Sequence, residues 1–260
     1  MNLTDAQISV LRQLQRLKLK PEPVLIGASA LALRMDFRRR QTNDLDISLS
    51  MDLEDLSTDL PLPPDWNRDP RIEHRWRTPA GVTVDILPVG PRAREAGILH
   101  WPKSGNVMKT TGFRLVFEQA QVVSQGTLKI RVAPVPVVAL LKMVAYREAP
   151  AERGRDLDDL ALIFEDYPED ESRLFAPEVV RVQLSFAQSR PFLLGRELAA
   201  IVDKAERAEV QAFIAKALDE NDPQATLAKL TRAGASIWRE HPEEVPSLLT
   251  ALRQGLDDAR

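Results

Sequence analysis

The first apolar positions of the chain recur at the spacing of one face of a helix. They follow Thr4 and Gln7, which have the spacing of a capping box, and they are Ile8, Leu11, Leu14 and Leu17. Prolines at positions 21 and 23 end the pattern, because proline does not continue a helix. The pattern predicts one amphipathic helix that ends near residue 18.

Two short strands with a helix between them are predicted next. Residues 24–26 are aliphatic and stop at Gly27, and residues 28–35 are rich in residues that favour helices. Residues 44–49 then alternate, so Leu45, Ile47 and Leu49 share one face while Asp44 and Asp46 lie on the other. This alternation predicts a half-buried strand that carries two carboxylates on its polar face.

A β-hairpin is predicted further along the chain. Its strands are residues 71–77 and 81–87, joined by a short segment that contains Pro79. In the second strand Asp85 lies on the face opposite the aliphatic side chains. A third carboxylate therefore occurs in the same kind of setting as Asp44 and Asp46.

The pattern changes after residue 134 to long helical segments. The predicted helices are 136–146, 155–164, 178–186, 195–218 and 223–238. Strand patterns are nearly absent from this part of the chain. We therefore predict two domains, one of strands and helices over residues 1–133 and a mostly helical one over residues 134–260.

Composition narrows the classes of function. The 35 basic and 38 acidic residues give a net charge of −3, too close to neutral for a non-specific polyanion binder. The chain has no cysteine, which excludes disulfides, thiolate zinc sites and a cysteine nucleophile. The first residues lack the pattern of a secretory signal, and no apolar run reaches the ~20 residues that span a bilayer. We expect a cytoplasmic protein without membrane contact.

Asp44 and Asp46 are candidates for metal binding. Two residues apart on a strand, their carboxylates leave the same face about 7 Å apart at Cα. Oxygen ligands without cysteine or paired histidine favour a hard divalent cation, Mg²⁺ above all, whose shell is often completed by substrate phosphates. The alternative interpretation is two solvated acids at a strand edge.

Gly27 is a candidate for phosphate contact. A helix that begins there offers free amide hydrogens and the positive end of its dipole to an anion. The alternative is a glycine that only forms a turn. The order of strand, glycine, helix, Asp-x-Asp strand and hairpin Asp favours a phosphate-handling site.

Several basic residues accompany these positions. Arg34 and residues 38–40 lead into the Asp-x-Asp strand, while Arg71, Arg75 and Arg77 share one face of the hairpin strand. They are either a solvated face or a patch that steers a triphosphate or an RNA end. Lys142, alone in an apolar helix, either extends its ammonium group to the surface or directs it at nucleotide phosphates.

These residues resemble a known family. Residues 27–31 (GASAL) and 40–47 (RQTNDLDI) are similar to the signature of the AbiEii/AbiGii-type nucleotidyltransferases, toxins of type IV toxin–antitoxin systems in the polymerase-β-like superfamily. Residues 84–87 (VDIL) resemble the segment with the family's third carboxylate. Leu141-Lys142 and residues 155–160 (RDLDDL) resemble its helical lysine and the Asp-containing element that follows. The resemblance covers about residues 20–165.

The resemblance implies both a fold and a mechanism. The fold is α+β, with a small mixed sheet and flanking helices as the nucleotidyltransferase core and a helical C-terminal domain that completes the nucleotide site. The implied reaction transfers NMP from an NTP, with Mg²⁺ or Mn²⁺ and release of pyrophosphate, to an acceptor such as a tRNA 3′ end. A cognate antitoxin protein is an implied partner.

The resemblance also assigns the site residues. The implied metal ligands are Asp44, Asp46 and Asp85, which with Lys142 are the implied catalytic residues. The implied nucleotide contacts are Gly27, Ala28, Ser29, Thr42, Lys142 and Asp156. Two other functions stay open: a catalytically weak nucleotide-binding or interaction module, and a nucleotidyltransferase that modifies a small molecule or a protein.

Overall fold

The structure, a computed structural model, describes residues 3–35, 42–55, 60–168 and 170–258. The chain divides into two compact units, residues 1–138 and 139–260. The predicted boundary between residues 133 and 134 stays a prediction, because compactness alone does not show that either part folds independently.

Within its described residues, the first unit contains nine strands and the following helices. The helices are α1 (Asp5–Leu17), α2 (Gly27–Arg34), α3 (Pro91–Ala96) and α4 (Phe113–Gln119). The strands are β1 (Val24–Ile26), β2 (Asp44–Leu49), β3 (Asn67–Arg68), β4 (Arg75–Arg77), β5 (Thr83–Pro88), β6 (Ile98–His100), β7 (Val107–Lys109), β8 (Gln121–Gln125) and β9 (Leu128–Val132).

Seven of the strands form one mixed sheet in the order β3-β4-β5-β2-β1-β9-β8, and β6 pairs with β7 separately. β2 runs parallel to β5 and antiparallel to β1, and β1 runs parallel to β9. The central strands are the most apolar, and all three residues of β1 are buried. The mixed sheet with flanking helices confirms the predicted α+β class.

The N-terminus of the first helix, α1, is stabilised by reciprocal hydrogen bonds between Thr4 and Gln7. The amide of Gln7 donates to Thr4 Oγ1 over 3.2 Å and the amide of Thr4 donates to Gln7 Oε1 over 2.8 Å, which confirms the predicted capping box. Gln7 Nε2 also donates to the carbonyl of Thr42 over 2.8 Å. The capping residue of α1 thereby fixes the segment that leads into β2.

The regular secondary structure of the second unit is helical over its described residues. After α5 (Val135–Glu148), which begins in the first unit, come α6 (Gly154–Asp166), α7 (Pro177–Val180), α8 (Phe186–Ile201), α9 (Lys204–Ala217), α10 (Thr226–Ala233), α11 (Ser236–Glu240) and α12 (Val245–Asp258). No described helix of either unit is both long enough and apolar enough to cross a membrane.

Three of the helices predicted for this unit are wrong in extent, and one of them, 223–238, is interrupted at Gly234 and Ala235. The predicted helix 178–186 does not form, because α7 ends at Val180 and Gln183 adopts a left-handed backbone with φ +56°. The predicted helix 195–218 is interrupted at Val202 and Asp203, where Asp203 caps the following helix. The last helix, α12, was not predicted.

The closest helix pair of the second unit depends on two glycines. A Cβ atom on Gly195 would overlap the Leu252 carbonyl of α12, and one on Gly255 would overlap the Phe192 carbonyl of α8. Glycine at these two positions lets the backbones of α8 and α12 approach each other, and Phe192, Leu248 and Leu252 fill the core beside them.

Candidate active site

The three candidate carboxylates lie on two neighbouring strands of the first unit. Asp46 of β2 is in register with Asp85 of β5, and on its other side with Ile26 of β1. Registered residues of adjacent strands point to the same face of a sheet, with the strands ~4.8 Å apart. Asp44, two residues before Asp46, therefore shares this face. The structure places the three acids that the sequence pattern selected on one face of two adjacent strands.

Gly27 meets this row of acids at the end of β1. Its φ is +64°, a conformation that favours glycine, and a Cβ atom there would overlap the carboxylate of Asp46. The predicted strand-to-helix junction at Gly27 is confirmed, since β1 ends at Ile26 and α2 begins at Gly27. Gly27 thus leaves the space in which the Asp46 side chain lies.

The next two candidates, Ala28 and Ser29, lie in the first turn of α2 and are buried. The Ser29 hydroxyl donates to the Ile26 carbonyl over 3.0 Å and accepts from the Asp46 amide over 3.3 Å. These two bonds connect the start of α2 to β1 and β2. The Ser29 hydroxyl therefore helps to position Asp46, whereas its predicted contact with phosphate stays a prediction.

Thr42 lies just before β2 and is also buried. Its hydroxyl donates to the Asp44 carbonyl over 3.2 Å, while its own carbonyl accepts from Gln7. Thr42 therefore fixes the backbone at the start of the Asp-x-Asp strand.

Asp85 is paired with an arginine on the neighbouring strand. Arg75 of β4 is in register with Asp85 and contacts both carboxylate oxygens, at 2.8 Å from Nε and 2.7 Å from Nη2. The hydrogen bonds to Asp85, followed by the charges of Asp85 and Asp44, raise the pKa of Arg75 above its ordinary value against the opposing effect of burial. Arg75 is thus the positive charge among these acids.

The candidate ligands are carboxylates, which are suitable for a hard divalent cation, but their arrangement meets only part of what such a site requires. Asp44 and Asp46 are half-buried carboxylates on one face of β2, with Gly27 opening the space beside Asp46. Asp85, however, is occupied by Arg75. Among residues 3–35, 42–55, 60–168 and 170–258, no three Asp, Glu or His side chains converge as a metal-ligand group. Asp44 and Asp46 have the chemistry of cation ligands, and Asp85 would join them only if Arg75 moved.

Lys142 lies in the second unit, on α5, and is buried between two acids of α6. Its Nζ is 3.0 Å from Asp156 Oδ1 and 2.5 Å from Asp159 Oδ2. Burial lowers the pKa of Lys142, but the charges of Asp156 and Asp159 outweigh burial, so the pKa is raised and the lysine stays protonated. Of the two interpretations offered by the sequence, extension of the ammonium group to the surface is wrong.

The sequence pattern did not identify this cluster. Asp156 and Asp159 are three residues apart, a spacing typical of an exposed ion-pair face of a helix, yet both are buried. Oδ2 of Asp156 accepts no hydrogen bond from the described residues, and Arg153 Nε lies 3.9 Å from it. A single lysine in an apolar helix was the available signal, because a buried ammonium group requires an acidic partner.

The other basic residues are placed as follows. Arg34 donates to Gln121 Oε1 and to the Val132 carbonyl, so it connects α2 to strands β8 and β9. Arg77 is exposed, 3.8 Å from Asp69. Residues 38–40 lie outside the described residues.

Comparison with known proteins assigns the chain to a class of enzymes. The model of the family described as "Nucleotidyl transferase AbiEii toxin, Type IV TA system" matches residues 102–236, just over half of the chain. The protein is a nucleotidyltransferase. It belongs to the AbiEii toxin family of type IV toxin–antitoxin systems.

Two solved structures are similar over nearly the whole chain. A nucleotidyltransferase-like antigenic protein from Paracoccidioides brasiliensis is 16% identical with a TM-score of 0.41, over 94% of this chain and 92% of that one. A protein from H. pylori described as a nucleotidyltransferase is 12% identical with a TM-score of 0.35, over 99% and 97%. No curated protein matches the chain. The family assignment does not depend on these two structures.

Proposed function

We propose that the protein is a Mg²⁺-dependent enzyme that transfers NMP from an NTP to a hydroxyl group of RNA, such as a tRNA 3′ end. The observation that supports this best is the register of Asp46 with Asp85, which aligns three carboxylates on one face of the sheet next to Gly27. The family itself supports nucleotidyl transfer and a toxin role. The cation, the nucleotide and the acceptor are the proposal.

Asp44 and Asp46 are the proposed ligands for the divalent cation, and Asp85 is the third. When bound, such an ion neutralises triphosphate charge and polarises the phosphorus that is attacked. Asp85 is also the proposed base for the acceptor hydroxyl, which requires it to come within about 3 Å of that proton. Thr42 and Ser29 support this role indirectly, because their hydrogen bonds fix the backbone of Asp44 and Asp46.

The proposed phosphate contact is the start of α2. The side chain of the N-cap residue, Ile26, makes no capping hydrogen bond, and the first turn, at Gly27, Ala28 and Ser29, presents the positive end of the helix dipole to an anion. Gly27 brings that anion close to the carboxylate of Asp46. Lys142 and Asp156 are retained as proposed nucleotide contacts on the strength of the family resemblance. The two carboxylate partners of Lys142 account for two of its three ammonium hydrogens.

The experiment that tests this function is incubation of the purified protein with each [α-³²P]NTP, Mg²⁺ or Mn²⁺, and total RNA. We expect label in RNA, at a rate reduced at least ~10²-fold by Asp46→Asn, since one ligand charge is removed from the transition state. Asp69→Asn, on an acid that caps the turn before β4, is the matched control.

Three outcomes would change the proposal. Label in a protein or small-molecule fraction instead of RNA would replace the acceptor. Pyrophosphate release that Asp44→Asn and Asp46→Asn leave intact would move the chemistry away from these acids. A lack of transfer with every NTP and RNA would favour a nucleotide-binding module. A cognate antitoxin is the proposed partner in the cell.

A further inference from the structure

We propose that Arg75 is a positioning residue that keeps Asp85 from binding a divalent cation until the Arg75–Asp85 ion pair opens. A cation at Asp44 and Asp46 would then compete with Arg75 for Asp85. The inference rests on the proposed function, since that function identifies the acids as a cation site.

The first support is the two-point contact. Nε and Nη2 of Arg75 each donate to a different oxygen of Asp85, at 2.8 and 2.7 Å. Paired donors of this kind are the strongest geometry for an arginine and a carboxylate. A cation that approaches Asp85 meets a carboxylate whose two oxygens are both engaged, and a positive charge beside them.

The second support is burial. The side chain of Asp85 is 11% exposed and that of Arg75 is 26% exposed. Ion pairs on the surface are weak because water and salt screen them, whereas this pair is largely shielded. Opening it therefore has a cost that a bound cation has to offset.

The third support is the register of the strands. Asp46, Asp85 and Arg75 are aligned across β2, β5 and β4. Like charges opposite each other on a sheet are destabilising, and Arg75 offsets the repulsion between Asp46 and Asp85. Because β5 lies between β2 and β4, Asp85 has Asp46 on one side and Arg75 on the other. A cation bound at Asp46 would therefore approach Asp85 from the side opposite the Arg75 guanidinium group.

Arg77 provides a matched control within the same strand. It lies two residues after Arg75 and so on the same face of β4, but its side chain is 66% exposed and its ion-pair partner is Asp69, at 3.8 Å. Arg77→Met removes a positive charge from the same face and leaves the Arg75–Asp85 pair intact.

The test measures Mn²⁺ affinity of the full chain without nucleotide, by counting free Mn²⁺ with electron paramagnetic resonance. The proteins compared are the wild type, Arg75→Met, Asp85→Asn, the double variant and Arg77→Met. We expect Arg75→Met to bind Mn²⁺ about tenfold more tightly, and Asp85→Asn to cancel that gain in the double variant. Asp85→Asn alone is the reference for the double variant, and Arg77→Met should change the affinity by less than about threefold.

Arg75→Lys keeps the proposal testable if Arg75→Met does not fold. Lysine retains the charge but cannot donate from two fixed nitrogens. The Mn²⁺ affinity of Arg75→Lys should therefore lie between the affinities of the wild type and Arg75→Met. Circular dichroism and the melting temperature establish that each variant is folded.

The inference is overturned by an unchanged or weaker Mn²⁺ affinity in folded Arg75→Met and Arg75→Lys. It is also overturned by an equal gain with and without Asp85, because Arg75 would then act only as a repelling charge. Failure of the proposed function looks different: Mn²⁺ affinities follow the expected pattern, yet no NTP is transferred to RNA.

Discussion

Lys142 is a buried charge, and its two acidic partners determine how much stability is lost when it is replaced. It is one cation between two acids, and its side chain is 8% exposed. Replacing one member of a buried ion cluster leaves the others without compensation, which is much more costly than replacing the whole cluster with neutral groups. Any test of this lysine in catalysis has to separate lost charge from lost stability.

We expect Lys142→Met to lower the free energy of unfolding by about 3–5 kcal/mol, because Asp156 and Asp159 stay buried without a cation. The variant Lys142→Met/Asp159→Asn restores the net charge of the cluster and should recover most of that loss. Urea unfolding of both variants measures the effect.

The paired variants also separate the roles of Lys142. If transfer by Lys142→Met/Asp159→Asn stays within about threefold of the wild type, which is under ~0.7 kcal/mol of transition-state effect, Lys142 is a structural residue only. A steep loss of kcat/KM in this stable variant would support contact with the nucleotide. Equal stability of Lys142→Met and the wild type would contradict the structural argument.

At the scale of elements, capping sequences explain where the predicted helices were wrong. Ser185 and Gln188 form a capping box that starts α8, and Asp203 and Glu206 form one that starts α9. Both boxes are visible in the sequence, so these two helix starts could have been predicted. The left-handed Gln183 has no comparable signal.

The candidate site was predictable to the extent that it depends on local pattern. The alternation of residues 44–49 fixed β2, and the glycine after three aliphatic residues fixed the start of α2. The pairing of Asp85 with Arg75 and of Lys142 with Asp159 could not be predicted in this way. It depends on the register between the hairpin strands and on the packing of two helices, and the alternation within a single segment specifies neither.

The crossing of α8 and α12 gives a prediction about packing. Gly255→Ala should lower the free energy of unfolding by about 1–3 kcal/mol, because its Cβ would overlap the Phe192 carbonyl and the helices would have to separate. Chemical denaturation followed by circular dichroism measures this.

Gly154→Ala is the control for this packing argument. It lies at the start of α6 with open space around the Cβ position, so alanine there should be neutral or stabilising by up to about 1 kcal/mol. Equal effects of the two substitutions would refute the proposed role of Gly255.

At the scale of the whole molecule, each of the two units contains buried charged side chains. In the second unit, a hydrogen-bond network surrounds Asp222. Lys216 Nζ lies 2.6 Å from Asp222 Oδ1, and the amide of Thr226 donates to Oδ2 over 2.9 Å. The Thr226 hydroxyl also pairs with Tyr146 of α5 at 3.0 Å. Burial raises the pKa of Asp222, but these hydrogen bonds outweigh burial and lower it well below its ordinary value.

The lowered pKa of Asp222 predicts loss of stability in acid. A carboxyl group with a lower pKa in the folded state stabilises the protein above its unfolded pKa of ~3.9, and that contribution is lost as pH falls further. Asp222→Asn should therefore have a lower melting temperature than the wild type at pH 7. Between pH 4 and pH 2, the melting temperature of Asp222→Asn should decrease by less than that of the wild type. Parallel melting curves for the two proteins would contradict this.

The Arg75–Asp85 pair also has a consequence for how the sheet folds. Arg75 and Asp85 are ten residues apart in a local hairpin, whereas β2 and β5 pair residues 39 positions apart. Contacts between residues near in sequence close faster than distant ones. We therefore expect the hairpin to form before β2 pairs with β5, so that Asp85 is already paired with Arg75 when it meets Asp46 and the two acids do not repel each other directly.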